Sequence, residues 1–339
     1  MSNLDFLKKL IKIESISPND NGCFDVIKQQ FDGLNFSFEE SNYKNISNLI
    51  ISNGDSKDKT FCFLGHTDVV PPGPESEWTV PPFSGEIIGN KIYGRGTADM
   101  KGGVACFITA LKEFLLEYKE PSFNIMVLLN SNEEGKLENG KVDRVINEMI
   151  DKDKFIDFCL IGEPSSSKKI GDVIRIGRRG SLSGNLKVFG VQGHVAYPKQ
   201  ALNPILGIGK TLEELKNMEW DRGNENFEPT SFQVSNIKSG TGAENVVPGV
   251  LEMAFNFRFS PESSPDGLKE MFKALLEKSD LKYDVSWTLS ALPFLTSKTE
   301  FIDIVKSSIK EINNIDTKID NGGGTSCLLY TSDAADETC

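Results

Sequence analysis

Histidine is scarce: the 339 residues hold two, His66 and His194. A metal centre in this chain must therefore draw most of its ligands from carboxylates. Positive charge is also short. There are 37 Lys and Arg against 49 Asp and Glu, a net charge of −12, which argues against nucleic acid or an anionic membrane as a partner. The six cysteines include no Cys-x-x-Cys pair, and Cys62, Cys106 and Cys159 fall in apolar runs. They read as reduced core thiols of a cytoplasmic protein. No apolar stretch is long enough to span a bilayer. Residues 1–11 lack a basic leading region and a long apolar core, so they read as an amphipathic helix with Leu4, Leu7 and Ile11 on one face, not as a signal peptide.

What the chain does contain is a series of acidic residues with one histidine, each placed just after a short apolar run. Residues 60–64 read as a buried strand, and His66 and Asp68 follow its end, the usual place for a site in an α/β sheet. Two residues apart in extended chain, their side chains point the same way. His66 can then bind a metal while Asp68 accepts its other N–H and fixes the tautomer. Asp99 precedes Gly102-Gly103 and a helical pattern of Val104, Phe107, Ile108, Leu111, Phe114 and Leu115, which puts it on a turn feeding a helix, where its carboxylate can bridge two cations.

Residues 123–129 form another apolar strand, followed by Glu133 and Glu134. Neighbours in near-extended chain face opposite ways, so one carboxylate can ligate metal while the other serves as a base. A third strand, 158–161, leads to Glu163. Singly, each element reads more readily as a packed histidine or solvated surface than as a site. Their recurrence after successive strands of one sheet argues for a shared centre, read as a site for two zinc ions.

The length exceeds that of one typical domain, so two are expected. Up to about Gly180, strands alternate with helical patterns such as Val142, Val145, Ile146, Met149 and Ile150, as in a layered α/β unit. The rhythm then changes. Residues 181–191 alternate Leu182, Leu186 and Val188, residues 251–259 alternate Leu251, Met253, Phe255, Phe257 and Phe259, and helices are expected at 204–218 and 267–278. Strand, helix, two strands, helix, strand describes a small α+β insert with a one-sided sheet. The chain returns near Leu292 with a helix around Phe301, Ile304, Val305 and Ile309. The division is thus 1–180 with 293–326, and 181–292.

The motifs together resemble a known family. Residues 65–73, Trp78, Pro82-Phe83, residues 93–102, Glu133-Glu134-Gly135 and residues 177–181 are similar to the aminoacylase/carboxypeptidase G family of di-zinc metallohydrolases. The Pro-Pro-Gly loop and Gly177-Arg-Arg-Gly-Ser181 point to its desuccinylase branch. The resemblance runs from about Leu4 to Ser326.

It implies a zinc-peptidase-like α/β catalytic domain with a mixed central sheet flanked by helices, an inserted α+β lid and dimerisation domain, and a cytoplasmic homodimer acting on a small molecule. It implies two Zn²⁺ per subunit, replaceable by Co²⁺, held by His66, Asp99, Glu134 and Glu163. Asp68 and Glu133 are then catalytic, Glu133 as the base. His194 reaches into the partner subunit's active site to stabilise the oxyanion; from the residues alone it is equally a loop histidine. Substrate contacts are implied for Arg179, Ser181, Tyr197, Asn245, Arg258, Gly324 and Thr325. Arg258 lies opposite the Phe255, Phe257 and Phe259 row, where a guanidinium can clamp a carboxylate. The implied reaction is removal of succinate from N-succinyl-LL-diaminopimelate. An acetylornithine deacetylase, an aminoacylase, a dipeptidase or an inactive metal-binding protein remain alternatives.

One departure stands out. Members of the family bring a further histidine to the second ion from near their C terminus, and both histidines here are already assigned. Residues 322–326 fit the family's Gly-rich loop, but 327–339 do not continue it. That tail reads as a translated library adapter joined to a shortened reading frame, the alternative being a divergent terminus. The chain itself is then expected to hold one zinc ion tightly.

Overall fold

The computed structural model describes residues 2–54, 57–135, 142–279, 281–296 and 299–321. Two compact units emerge, one of Met1–Ile174 with Thr296–Thr317, the other of Arg175–Leu295 with residues 318–321. Gly324, Thr325 and the 327–339 tail lie outside the described residues.

The first unit begins with α1 (Asn3–Ile11), whose N-cap Ser2 accepts a hydrogen bond from the Asp5 N–H. Its buried face is Phe6, Leu10 and Ile11, while Leu4 is 44% exposed. Of the expected Leu4, Leu7, Ile11 face, Ile11 is buried and Leu7 packs against the core, but Leu4 is corrected, because the Phe6–Leu10 pair centres the core side and turns Leu4 outward. Next come β1 (Ser37–Glu40), β2 (Asn48–Ser52), β3 (Thr60–His66), α2 (Gly102–Glu117), β4 (Asn124–Asn130), α3 (Val142–Ile150) and β5 (Phe158–Ile161). The sheet order is β1-β2-β4-β3-β5, with β3 parallel to β4 and β5, and β2 antiparallel to both β1 and β4. All seven residues of β4 are buried, as a central strand covered on both faces requires.

Helix α2 packs on this sheet through Val104, Ala105, Ile108, Leu111 and Leu115, and Phe107 stacks on Phe63 at 4.0 Å between ring centres. Helix α3 buries Val142, Val145, Ile146 and Met149. Cys62 is buried as expected, but Cys106 is exposed. Its apolar neighbours made it look like core, whereas the 3.6-residue period of α2 rotates position 106 away from the buried stripe.

The second unit contains β6 (Gly180–Phe189), α4 (Gly209–Asn217), β7 (Ser231–Ser239), β8 (Val250–Phe259), α5 (Pro265–Leu276) and β9 (Lys282–Ala291). Its sheet is antiparallel throughout, in the order β7-β8-β6-β9. One face carries Leu182, Leu186, Val188, Met253, Phe255 and Phe257 against α4 and α5, with Phe255 stacked on Phe272 at 4.5 Å. Helix α5 starts at a strong stop-start signal, Ser264 capping the Gly267 N–H and Pro265 in the first turn. The chain then forms α6 (Thr299–Asn313) in the first unit, where Phe301 meets Phe61 and Phe158. No described helix is long and apolar enough to cross a membrane.

Candidate metal centre

Register places three parallel strand ends at one edge of the first sheet. His66 is paired with Asn130, and Leu64 with Ile161, so the segments after β3, β4 and β5 leave the sheet side by side. His66, Glu133, Glu134 and Glu163 are carried by those segments.

His66 is fully buried. Its Nε2 lies 3.1 Å from Asp99 Oδ1 and 3.7 Å from Glu163 Oε1. The ligand atoms of His66, Asp99 and Glu163 all fall within 4.8 Å of one another, as do those of His66, Glu133 and Glu134. Among the described residues no such set contains both Asp99 and Glu134, the pair anticipated on a second ion. Asp99 Oδ1 is engaged by the imidazole instead.

The Asp68 contact has a different form from the one the sequence implies. The nearest acceptor to His66 Nδ1 is the main-chain carbonyl of Asp68, at 2.9 Å, and its carboxylate Oδ1 stands at 3.5 Å. Either contact favours a proton on Nδ1 and leaves Nε2 for a metal. The carboxylate also anchors the neighbouring loop. Its Oδ1 accepts the Glu133 N–H at 3.0 Å, and Oδ2 accepts the Glu134 N–H at 3.1 Å and the Ser17 hydroxyl. One buried side chain therefore holds the main chain of both glutamates.

Asp99 sits in an irregular turn, Thr97–Lys101, with extended dihedrals (φ −126°, ψ 103°), and α2 begins only at Gly102. Gly96 enters the turn at φ 81°, where a side chain would be strained. Gly103 permits the close approach of β5's end: a Cβ there would stand 2.6 Å from the Gly162 carbonyl. Glycines thus bring Asp99 and Glu163 together.

The electrostatics follow from crowding. Burial pulls the His66 pKa down, but hydrogen bonds to Asp68 and Asp99 and the charge of Glu163 outweigh it and raise it well above the usual range. The hydrogen bond and charge of His66 hold Asp99 below its usual value. Burial, then the charges of Asp99 and Glu133, push Glu134 up. Several carboxylates crowded around a single imidazole form a donor set that a divalent cation would neutralise, so the residues fit a metal.

Three supporting residues carried no clear signal in the sequence. Ser17 and Asp20 belong to a polar loop, and the Asp20 carboxylate accepts the Thr67 hydroxyl at 3.1 Å. Lys101 is buried, its Nζ donating to the Leu10 and Ile13 carbonyls at 2.8 Å each. Only its position beside Asp99 and the glycine pair could have marked it.

The second unit holds the other candidates. His194 lies in a two-residue strand paired with Val246-Val247 and is exposed. Its Nδ1 accepts the Ala196 N–H at 3.1 Å, which puts the ring proton on Nε2 and makes that nitrogen a donor. Tyr197 and Asn245 are exposed, and Tyr197 adjoins His194 with ring centres 5.8 Å apart. Ser181 is buried, accepts a hydrogen bond from Asn256 Nδ2 at 3.1 Å and pairs in register with Arg258. Burial, then the charge of Arg179, lowers the Arg258 pKa.

A mixed sheet whose parallel strand ends gather a histidine and several carboxylates defines a metal-dependent α/β hydrolase. The model of Peptidase family M20/M25/M40 matches residues 62–336, and the chain belongs to that family. A succinyl-diaminopimelate desuccinylase of Methylococcus capsulatus is 47% identical over 323 residues, 95% of this chain and 85% of the relative. One from Hydrogenovibrio crunogenus is 47% identical over 326 residues, again 95% and 85%. Among solved structures, the M20 family metallo-carboxypeptidase Sso-CP2 of Sulfolobus solfataricus shares the fold with a TM-score of 0.77 at 20% identity, over 98% of this chain and 88% of that one. The YXEP protein of Bacillus subtilis, a dinuclear metal binding peptidase from the M20 family, gives 0.68 at 13% identity over 97% and 86%.

Proposed function

We propose that this protein is a cytoplasmic, metal-dependent amidohydrolase that splits N-succinyl-LL-2,6-diaminopimelate into succinate and LL-2,6-diaminopimelate, a step in lysine and diaminopimelate synthesis. The observation that carries this reading is the 47% identity to the Methylococcus desuccinylase across 95% of the chain. The like charges of Arg179 and Arg258, which act on each other, support it, since the substrate bears several carboxylates. The free thiols of Cys23, Cys62, Cys106 and Cys159 support a reducing compartment.

Divalent ions, zinc or cobalt, would when bound polarise the scissile carbonyl and acidify the attacking water. His66, Asp99 and Glu163 would hold one of them, with Asp99 and Glu134 facing the other. Glu133 takes the water's proton and returns it to the leaving amine. Asp68 orients the imidazole and fixes the main chain of both glutamates. His194 acts in a homodimer, donating from Nε2 to the oxyanion in the partner's site. Arg179, Ser181, Tyr197, Asn245, Arg258, Gly324 and Thr325 hold the substrate.

The test is a comparison of kcat/KM for N-succinyl-LL-diaminopimelate and N-acetylornithine with the 339-residue chain. Preference for the succinyl substrate is expected. Faster turnover of N-acetylornithine reassigns the protein to a deacetylase.

A further inference from the structure

We propose that Ser17 is a positioning residue of the metal centre: its hydroxyl locks the Asp68 carboxylate in the orientation that presents Glu133 and Glu134. The inference rests on the amidohydrolase reading above and adds a residue from outside the metal-bearing motifs.

The geometry is that of a keystone between two loops. The segment from Ser15 to Pro18 pairs with the one after β3, through Val69 N–H to the Ser15 carbonyl at 2.9 Å and Ser17 N–H to the Val69 carbonyl at 3.1 Å. The Ser15 hydroxyl adds a bond to the Thr67 carbonyl at 2.6 Å. The same segment reaches the loop after β4, where the Ser131 hydroxyl donates to the Pro18 carbonyl at 2.8 Å and accepts the Ser47 N–H at 2.9 Å. Ser17 therefore stands where the His66–Asp68 and Glu133–Glu134 loops meet.

The hydroxyl has one proton and two acceptors in reach, Asp68 Oδ2 and, farther off at 3.3 Å, the Val69 carbonyl. The carboxylate is the closer and the stronger acceptor. Oδ2 is also the oxygen that takes the Glu134 N–H. Removing the hydroxyl leaves Oδ2 with the Glu134 N–H and Oδ1 with the Glu133 N–H, which loosens the carboxylate and the main-chain anchor of a proposed ligand and the proposed base. Such outer contacts typically govern metal affinity or activity by about 10–100-fold.

The experiment is a Co²⁺ titration of the full 339-residue chain, read by calorimetry and by the visible absorption of bound cobalt, in wild type, Ser17→Ala and Ser17→Thr. In Ser17→Ala we expect Co²⁺ to bind about 10-fold more weakly, with an altered absorption band and an unchanged thermal melt. Ser17→Thr, which keeps the hydroxyl, should restore both. Where the wild type hydrolyses the N-succinyl amide, Ser17→Ala should lower kcat by a similar factor and leave KM in place. Wild-type cobalt affinity and spectrum in Ser17→Ala overturn the proposal. So does a Thr variant as impaired as the Ala one, or an Ala variant that fails to fold, since either outcome makes Ser17 merely structural. A wild type that cleaves no N-succinyl amide ends the functional reading and leaves the cobalt measurements to decide this one.

Discussion

In the first unit the root of the candidate centre is buried and braced: His66 and Asp68 have no exposed surface and the flanking Thr67, Asn130, Ser131 and Asn132 are buried, while Glu133, Glu134 and Glu163 are half-buried and Asp99 opens to solvent. In the second unit Tyr197 is 61% exposed and His194 and Asn245 are at the surface, with Ser181 buried in the sheet. A metal ligand must sit within tenths of an ångström of its place, which burial and supporting hydrogen bonds enforce. A group that meets a substrate and then releases it has to stay accessible. On the proposed function, the contrast is one between holding a metal and recognising a substrate.

The largest effect that could break this contrast is at the Glu133–Glu134 pair. Glu133→Gln should lower turnover by about 10²–10⁴-fold, the share of a positioned proton shuttle, while metal content stays unchanged. Glu134→Gln should instead lose metal. Elemental analysis beside kcat decides it, and equal metal loss in both variants would show that the glutamates do not divide ligand and base.

Next in size is His194. Its replacement by Ala should cost about 10²–10³ in kcat, the loss of one oxyanion donor. If it serves the partner's site, mixing His194→Ala with Glu133→Gln subunits should regain activity, because one site in each heterodimer combines an intact Glu133 with an intact His194. Exchanged mixtures as inactive as their parents would place His194 in its own subunit or outside the reaction.

A smaller effect concerns stoichiometry. The family reading gives the site next to Glu134 only the carboxylates of Asp99 and Glu134, a pair that no close set among the described residues contains, whereas zinc normally takes three or more protein ligands with nitrogen or sulfur among them. The other site keeps His66, Asp99 and Glu163. The polypeptide should therefore bind about one zinc ion tightly and turn over little. Two tightly held ions with normal turnover would mean that another residue replaces the histidine.

The sequence made the holding residues legible because they come in chain order at the ends of apolar runs, and strand order in an α/β sheet maps chain order onto one edge. It also disclosed the Phe255, Phe257 and Phe259 row, since a one-sided sheet writes its burial as alternation. It missed Ser17, Asp20 and Lys101, whose partners lie 51, 47 and 91 residues away in sequence. Such contacts depend on how loops cross, and no local period records that. The misplaced Leu4 of α1 and Cys106 of α2 have a simpler cause: apolar residues flanking the buried stripe leave a helix's phase ambiguous.

One residue of the second unit cuts across the contrast, and it gives the smallest effect. Asp221 is braced as closely as Asp68. Its carboxylate accepts the Gly223 and Thr230 N–H groups at 2.8 and 2.9 Å and the hydroxyls of Ser260, Ser263 and Thr230. Burial raises its pKa, but the bonds from Ser263, Thr230 and Gly223 outweigh that and bring it from 3.8 down to about 2. It ties together the loops around 221, 230 and 260 and faces no candidate ligand, so its role is to stiffen the frame. The folded value lies below the unfolded one, so the stabilisation is complete above about pH 4 and is lost as the pH falls through about 2. Asp221→Asn should cost about 1–3 kcal/mol of stability at pH 7 and leave metal binding unchanged. The gap in melting temperature between variant and wild type should close as the pH is lowered from 4 towards 2. A gap that stays constant over that range would mean that the carboxylate's charge contributes nothing and that shape alone makes Asp221 the hub of its loops.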